Sequence, residues 1–138
     1  MRKFLFFAFA LVASALMFTA CNGNDANNPL VGTWQHIEDY GDARSEVKVT
    51  FDGSNNFTYS DFKYMGGQVH YGHIYKGTYK INGDEVNIHY TGFSWTNDGV
   101  HIEEQTDFQP YDDWFKYSIN GNTLTIIRGD NTETYTKQ

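Results

Sequence analysis

Residues 30–34, Leu30-Val31-Gly32-Thr33-Trp34, begin a series of short predicted β-strands. Trp34 combines a large apolar ring system with one N–H donor, which suits it to close one end of a small β-barrel. Gly32 comes two residues earlier, so on a strand it shares a face with Trp34 and leaves room there for a neighbouring backbone. We therefore expect Gly32 and Trp34 to form the floor of a barrel.

Turn signals recur at regular intervals after this stretch, and each separates two runs in which apolar and polar residues alternate. Glycine supplies the positive φ angles that tight hairpin turns need. The turn pairs are Asp52-Gly53, Gly66-Gly67, Asn82-Gly83, Asp98-Gly99, Asn120-Gly121 and Gly129-Asp130. The runs between them predict strands at 30–38, 45–51, 56–64, 68–81, 85–93, 99–106, 113–119, 123–128 and 132–137. No stretch after Pro29 has the period of an amphipathic helix.

Alternation with a period of two gives each predicted strand one apolar face. The apolar faces are Val47, Val49 and Phe51; Val69, Tyr71, His73, Tyr75, Gly77, Tyr79 and Ile81; Val86, Ile88 and Tyr90; Phe115, Tyr117 and Ile119; and Leu124, Ile126 and Arg128. One apolar face per strand permits a sandwich or a closed barrel. Up-and-down order with short turns favours closure, because closure removes the edge strands. The predicted fold class is all-β, an antiparallel meander closed into a barrel of eight or nine strands.

The first 20 residues have the parts of a secretory signal peptide. Arg2 and Lys3 precede an apolar run over 4–18, which is too short and wrongly flanked for a permanent membrane span. The ending Phe18-Thr19-Ala20-Cys21 resembles a bacterial lipobox, although Phe18 stands where an aliphatic residue is usual. We expect lipidation at Cys21, with ordinary signal cleavage or a buried free thiol as alternatives. The expected organisation is a signal peptide at 1–20, a flexible tether at 21–29 and one domain at 30–138.

Composition excludes several classes of function. The net charge of −7 becomes −9 when Arg2 and Lys3 are removed, and an acidic domain repels nucleic-acid backbones. The single cysteine permits no disulfide within the chain, so the fold depends on core packing. Aromatic residues make up 17% of the chain, enough to fill such a core. We expect a monomer that contacts a membrane only through its lipid.

Several segments together resemble the small lipocalin-like lipoproteins of Bacteroidetes-type bacteria. They are Leu30 to Trp34, Val49-Thr50-Phe51-Asp52-Gly53, Gly77 to Val86, Tyr117 to Ile126 and Tyr135-Thr136-Lys137. The resemblance implies an eight-stranded barrel with a ligand cup at one end, carried by an outer-membrane lipoprotein of the cell envelope. It also implies a basic residue over the first-strand tryptophan. Arg128 occupies the matching kind of position, which assigns Gly32, Trp34 and Arg128 to a structural plug.

The predicted ligand site consists of aromatic residues. The inward faces predict a cup lined by Tyr71, His73, Tyr75, Tyr79, Tyr90, Phe115 and Tyr117. Residues near the ends of the fifth and seventh predicted strands suggest an aromatic rim of Phe93, Trp95, Tyr111 and Trp114. Such surfaces suit an apolar ligand or a sugar ring. Phe108 and Trp114 could instead pack inside the barrel.

Catalytic and metal-binding patterns are missing from the sequence. The five histidines form no His-x-His or His-Glu-x-x-His motif, and His70 and His73 are expected on opposite faces of a strand. His36 or His73, both predicted to point inward, remains an option for ligating haem. Acidic pairs such as Asp112-Asp113 suit solvated turns better than glycoside hydrolysis. We expect no enzyme, cofactor or metal, but an envelope lipoprotein that binds a small, mostly apolar ligand. The alternative is a filled barrel whose aromatic outer surface docks a glycan or an envelope protein.

Overall fold

The computed structural model describes residues 28–138, and these form an antiparallel all-β domain without a helix. The strands are β1 (Gly32–Tyr40), β2 (Ala43–Phe51), β3 (Asn56–Met65), β4 (Gln68–Asn82), β5 (Glu85–Thr96), β6 (Glu103–Glu104), β7 (Tyr111–Asn120), β8 (Thr123–Arg128) and β9 (Asn131–Lys137). The predicted signal peptide and the lipidation site at Cys21 lie outside the described residues. Among residues 28–138, no helix is long and apolar enough to cross a membrane.

The strands close into a barrel because each pairs with its neighbours in an unbroken circuit. From β1 to β5 every strand pairs with the next, then β5 pairs with β7, β7 with β8 and β8 with β9. Pairing between β9 and β1 completes an eight-stranded cylinder. The two-residue β6 pairs with β5 beyond the end of β7. This circuit confirms the predicted closed meander and excludes the sandwich.

The segment predicted as a strand at 99–106 is mostly loop, and that prediction was wrong. The backbone donors of residues 99–101 bond to side chains instead of to a neighbouring strand. The Asp98 carboxylate accepts hydrogen bonds from the backbone N–H groups of Val100 and His101, both at 2.8 Å. The Thr96 hydroxyl accepts a bond from the Gly99 N–H at 2.8 Å. Local side-chain bonds of this kind stabilise a turn in competition with a strand ladder.

One end of the barrel, which we call the floor, is closed by the start of the described chain. Trp34 is 1% exposed, and its indole Nε1–H donates to the Leu30 carbonyl at 2.8 Å. Leu30 is fully buried, and its own N–H donates to the Asn28 side chain. The Tyr79 hydroxyl ties the β2–β3 turn to the same end by donating to the Asp52 carbonyl at 2.8 Å. The predicted role of Trp34 as a buried plug agrees with this geometry.

The cation over Trp34 is Lys137, so the predicted partnership with Arg128 was wrong. The Lys137 ammonium lies 5.1 Å from the centre of the Trp34 ring. Arg128 instead lies 5.2 Å over the Phe115 ring, because β8 carries it towards the opposite end of the barrel. Gly32 leaves space for a side chain and not for a backbone, since a Cβ there would come within 2.9 Å of Lys137 Cε. Its φ of 136° also favours glycine.

The barrel is asymmetric, and its two halves differ in packing. Strands β1 to β5 extend well past the shorter strands β7 to β9 at the end opposite the floor. Near the floor, aromatic and aliphatic side chains fill the interior. This filled core includes Leu30, Trp34, Val49, Phe51, Phe57, Tyr79, Val86, Ile88, Phe115 and Leu124. We call this part the closed half and the other part the open half.

The predicted facing of Val69 on β4 was wrong, because a β-bulge precedes Tyr71. The register between β3 and β4 shifts between Lys63 and Tyr64, because Lys63 pairs with Tyr71 whereas Tyr64 pairs with Val69. The extra residue is His70. Val69 therefore points away from the face that carries Tyr71, and a Cβ on Gly99 would come within 2.8 Å of the Val69 side chain. The other inward residues predicted for β4, from Tyr71 to Ile81, keep their predicted face in the register.

Candidate functional site

The open half is accessible because the seam between β1 and β9 is short. Two residue pairs hold it, Trp34 with Lys137 and Gln35 with Thr136. Beyond them β1 continues to Tyr40 beside β2 alone. A side-chain contact continues the seam for one more step, where His36 Nδ1 lies 2.8 Å from the Thr134 carbonyl oxygen. The interior of the barrel thus opens towards the end that is furthest from the floor.

A continuous series of aromatic rings leads from the closed half to this mouth. Phe57 contacts Tyr90 with ring centres 5.7 Å apart, and Tyr90 contacts Tyr75 at 5.7 Å. Tyr75 then packs on Phe93 at 4.7 Å. We call this series the aromatic ladder, and we include in it the rings that extend it to the mouth: His73, Tyr71 and Trp95. Its spacings are those of favourable edge-to-face and offset ring pairs.

The upper part of the aromatic ladder reaches solvent. Phe93 lies 5.6 Å from the His73 ring, and His73 lies 5.5 Å from Tyr71, which is 37% exposed. Trp95 branches from the ladder by stacking on Phe93 at 6.0 Å. A second branch starts at Tyr90, where Tyr111 stacks at 4.8 Å. Ring faces at this end of the barrel are therefore available to a molecule that enters from solvent.

A cleft of 640 Å³ lies beside the top of the aromatic ladder. Four ring-bearing side chains and two other polar side chains line it: His70, Tyr71, His73, Trp95, Thr96 and Asn97. The bulge at His70 brings two histidines to one cleft, whereas simple alternation predicted opposite faces. Apolar walls with a few polar groups are typical of sites for small organic ligands.

Charged and phenolic groups occupy the other inward positions of the open half. Asp61 pairs in register with His73, and its Oδ1 lies 3.0 Å from the Lys63 ammonium. The Lys63 ammonium also bonds to the Ser45 hydroxyl. Arg128 Nη2 lies 3.7 Å from Asp113 Oδ2. Both inward-facing basic groups in this half therefore already have acidic neighbours.

Burial raises the pKa values of the phenols near these charges further above neutral pH. Desolvation raises the pKa of Tyr59 to about 12, and the negative charges of Asp61 and Glu133 add to the effect. The pKa of Tyr135 is raised by burial and by the hydrogen bond that its hydroxyl donates to Glu133 at 2.6 Å. Burial also raises the pKa of Tyr90. These hydroxyl groups consequently remain available as neutral donors and acceptors.

The predicted cup residues separate into two groups. Tyr71, His73, Tyr75 and Tyr90 belong to the aromatic ladder and lie at or below the mouth. Tyr79, Phe115 and Tyr117 do not line the mouth, because all three pack in or against the core of the closed half. Period-two alternation identifies which face of a strand points inward, but it carries no information on depth along the barrel axis.

The predicted rim residues also fall into two groups, those at the mouth and one outside the barrel. Phe93 and Trp95 belong to the aromatic ladder, and Tyr111 is 45% exposed beside Tyr90. Phe108 packs on Tyr111 at 6.0 Å. Trp114 lies outside the barrel, because it alternates with the buried Phe115 and is 55% exposed. The prediction of Trp114 as a rim residue was therefore wrong.

Some groups at the mouth were missed at the sequence level. Tyr59 contacts Tyr75 with ring centres 6.1 Å apart, and Asp61 and Lys63 follow it on the same face of β3. Alternation from Phe57 would have placed all three inward. Within residues 28–138, no group of three or more His, Cys, Asp or Glu side chains is arranged to hold a metal ion.

Comparison with known proteins gives one match. A family model described as a lipocalin-like domain matches residues 30–107, which is more than half of the chain. This segment includes Leu30 and Trp34 of the floor, the long strands β1 to β5 and most of the aromatic ladder. No curated protein matches, and no solved structure matches.

Proposed function

The chain belongs to the lipocalin-like domain family, and from this premise we propose that it binds a small, mostly apolar ligand in the open half without catalysing a reaction. The observation that carries the proposal is the aromatic ladder. It runs from a filled core to a solvent-open mouth, and it ends beside the 640 Å³ cleft. A space of this size is within the range typical of sites for small molecules.

The division of the barrel supports this assignment. The closed half supplies stability through side chains that are almost fully buried, such as Trp34 and Leu124. The upper rungs of the aromatic ladder are partly exposed, so they contribute less to the core than their size allows. Covering these rings with a ligand would remove apolar surface from water at about 25 cal/mol per Å².

The proposal includes anchorage to the outer membrane of a Bacteroidetes-type cell envelope through lipid on Cys21. Its support is the apolar run that precedes Cys21 and the short tether that follows it. Leu30 lies at the floor, so a lipid attached through residues 22–29 would hold the floor nearest the membrane. The mouth would then face away from that membrane. Replacing Cys21 by serine should abolish incorporation of labelled fatty acid and release the protein from the membrane fraction.

A panel of fatty acids, sterols, quinones and porphyrins tests the proposed binding directly. At least one compound class should bind saturably to the purified protein. Tyr71→Ala should weaken this binding about 5–10-fold, since one aromatic contact contributes about 1 kcal/mol. Trp114→Ala is the matched control, because it removes an exposed aromatic ring from the outer face. It should leave the affinity unchanged.

One observation favours the alternative function. Trp114 places a large, half-exposed ring on the outer wall of β7, where a glycan or an envelope protein could dock. If Trp114→Ala abolishes binding to the cell envelope and Tyr71→Ala has no effect on any ligand, the docking function replaces the carrier function.

A further inference from the structure

The net negative charge of the described residues lies away from the floor. Six charged side chains surround the floor, and they balance: Asp52, Asp84 and Glu85 against Lys80, Lys116 and Lys137. The rest of the barrel carries 13 acidic side chains and 5 basic ones, a net charge of −8 with histidine neutral. An excess of one sign of charge attracts ligands of the opposite sign.

The same imbalance holds inside the mouth. Six inward positions of the open half carry charge: Glu38, Asp61, Lys63, Asp113, Arg128 and Glu133. Lys63 and Arg128 lie near Asp61 and Asp113, so the positive charge of each is partly offset by a carboxylate. Two carboxylates remain in excess.

The two excess carboxylates, Glu38 and Glu133, bond mainly to neutral groups. Glu133 accepts from the Tyr135 hydroxyl, and Glu38 accepts from the Tyr40 hydroxyl, both at 2.6 Å. Glu38 also lies 3.4 Å from His36 Nε2. The Lys63 ammonium also helps to lower the pKa of Glu38, but Lys63 and Arg128 together supply two positive charges against four inward carboxylates. Both carboxylates lie beside the short β1–β9 seam, across the barrel from β4 and β5.

The opposite wall adds a second attraction for positive charge. The faces of the Tyr71, Tyr75 and Trp95 rings carry the negative side of an aromatic quadrupole, which attracts organic cations within about 6 Å. An apolar body could stack on these rings while its cationic group faces the carboxylates. An anionic headgroup would meet an excess of like charge and no unpaired basic group among the inward side chains of the described strands.

We propose that the ligand of the open half is a small organic cation with a flat apolar body, such as a protonated arylalkylamine. This inference rests on the proposed ligand-binding function and narrows it to one chemical class. It predicts a preference that neutral and anionic molecules of the same shape do not share.

Three probes with one phenylethyl body separate charge from shape: 2-phenylethylamine, 2-phenylethanol and 3-phenylpropionate. Calorimetric titration of the purified protein at neutral pH should show the amine binding at least about tenfold more tightly than the carboxylate. Raising the ionic strength from about 0.01 M to about 1 M shortens the Debye length from about 30 Å to about 3 Å. The affinity for the amine should fall several-fold over this range, and the affinity for the alcohol should stay constant.

Glu38→Gln combined with Glu133→Gln should reduce the preference for the amine by roughly fivefold. Asp84→Asn combined with Glu85→Gln is the matched control, because it also removes two negative charges, here near the floor. It should leave the preference unchanged, and thermal melting verifies that both proteins are folded. If the alcohol or the carboxylate binds as tightly as the amine, the charge inference fails and the ligand-binding function stands. If none of the three binds at millimolar concentration but a compound of the ligand panel does, the charge inference fails and the ligand-binding function stands. If no compound of either set binds, both fail.

Discussion

Replacing Trp34 by alanine should destabilise the barrel more than any single change at the mouth. The ring is 1% exposed, and truncation of a buried aromatic side chain costs about 3–5 kcal/mol. The change also leaves the carbonyl of the fully buried Leu30 without its indole donor. A domain of this size has a total stability of about 5–15 kcal/mol. We therefore expect a loss of about 4 kcal/mol and a melting temperature lower by about 15 °C or more.

Two further variants divide this loss between its sources. Trp34→Phe keeps an aromatic ring in the floor but deletes the N–H donor, so it should cost about 1–3 kcal/mol. Lys137→Met removes the ammonium that lies 5.1 Å over the ring, which should cost about 0.5–1 kcal/mol. Urea denaturation followed by circular dichroism measures all three changes. The slope of the transition should stay constant if the native and unfolded states keep their compactness.

Double-mutant cycles then test which cation is coupled to Trp34. Trp34 and Lys137 should be non-additive, because the two side chains are in contact. Trp34 and Arg128 should be additive within about 0.5 kcal/mol, since Arg128 lies over Phe115 instead. Coupling of Trp34 to Arg128, or a Trp34→Ala protein with the unfolding midpoint of the unmodified one, would refute the described floor.

The remaining predictions concern the close contact between β4 and β5 and the pH dependence of stability. Gly77→Ala should cost more than about 3 kcal/mol or prevent folding, because its Cβ would come within 2.2 Å of the His89 carbonyl oxygen. Gly92→Ala is the control, since a Cβ there meets no atom within 4 Å. Its melting temperature should lie within a few degrees of that of the unmodified protein. Burial opposes ionisation of Glu46, but Lys48 at 2.7 Å and Arg44 at 2.5 Å together outweigh it and hold the carboxyl pKa below 4.5. A lowered pKa in the folded state stabilises the protein above pH 4.5, and this contribution is lost as the pH falls further. Melting curves between neutral and acidic pH should therefore show a smaller loss of stability for Glu46→Gln than for the unmodified protein.

The circuit of strands could be predicted from sequence because its signals are local. A glycine-containing turn separates most pairs of strands, and period-two alternation identifies the buried face of each. Eight of the nine predicted strands correspond to barrel strands of similar extent. The prediction of a strand at 99–106 failed because Thr96 and Asp98 bind the backbone donors that a strand would offer to its neighbour.

The position of each residue along the barrel axis could not be predicted, because it depends on register between strands that are distant in sequence. Tyr79 and Tyr75 share a face of β4, yet Tyr79 bonds at the floor and Tyr75 belongs to the aromatic ladder. The bulge at His70 also reverses the facing of Val69, and no residue type marks it. Lys137 was missed because its contact with Trp34 depends on how the last strand meets the first.

The central claim, that the floor stabilises the barrel and the mouth binds the ligand, can be tested with one NMR titration. The three tryptophan indole N–H signals report on three places: Trp34 in the floor, Trp95 at the mouth and Trp114 on the outer wall. Titration with the compounds of the ligand panel and with 2-phenylethylamine should shift the Trp95 signal saturably and leave the Trp34 and Trp114 signals in place. A saturable shift confined to Trp114, or no shift of Trp95 with any compound, would contradict the account.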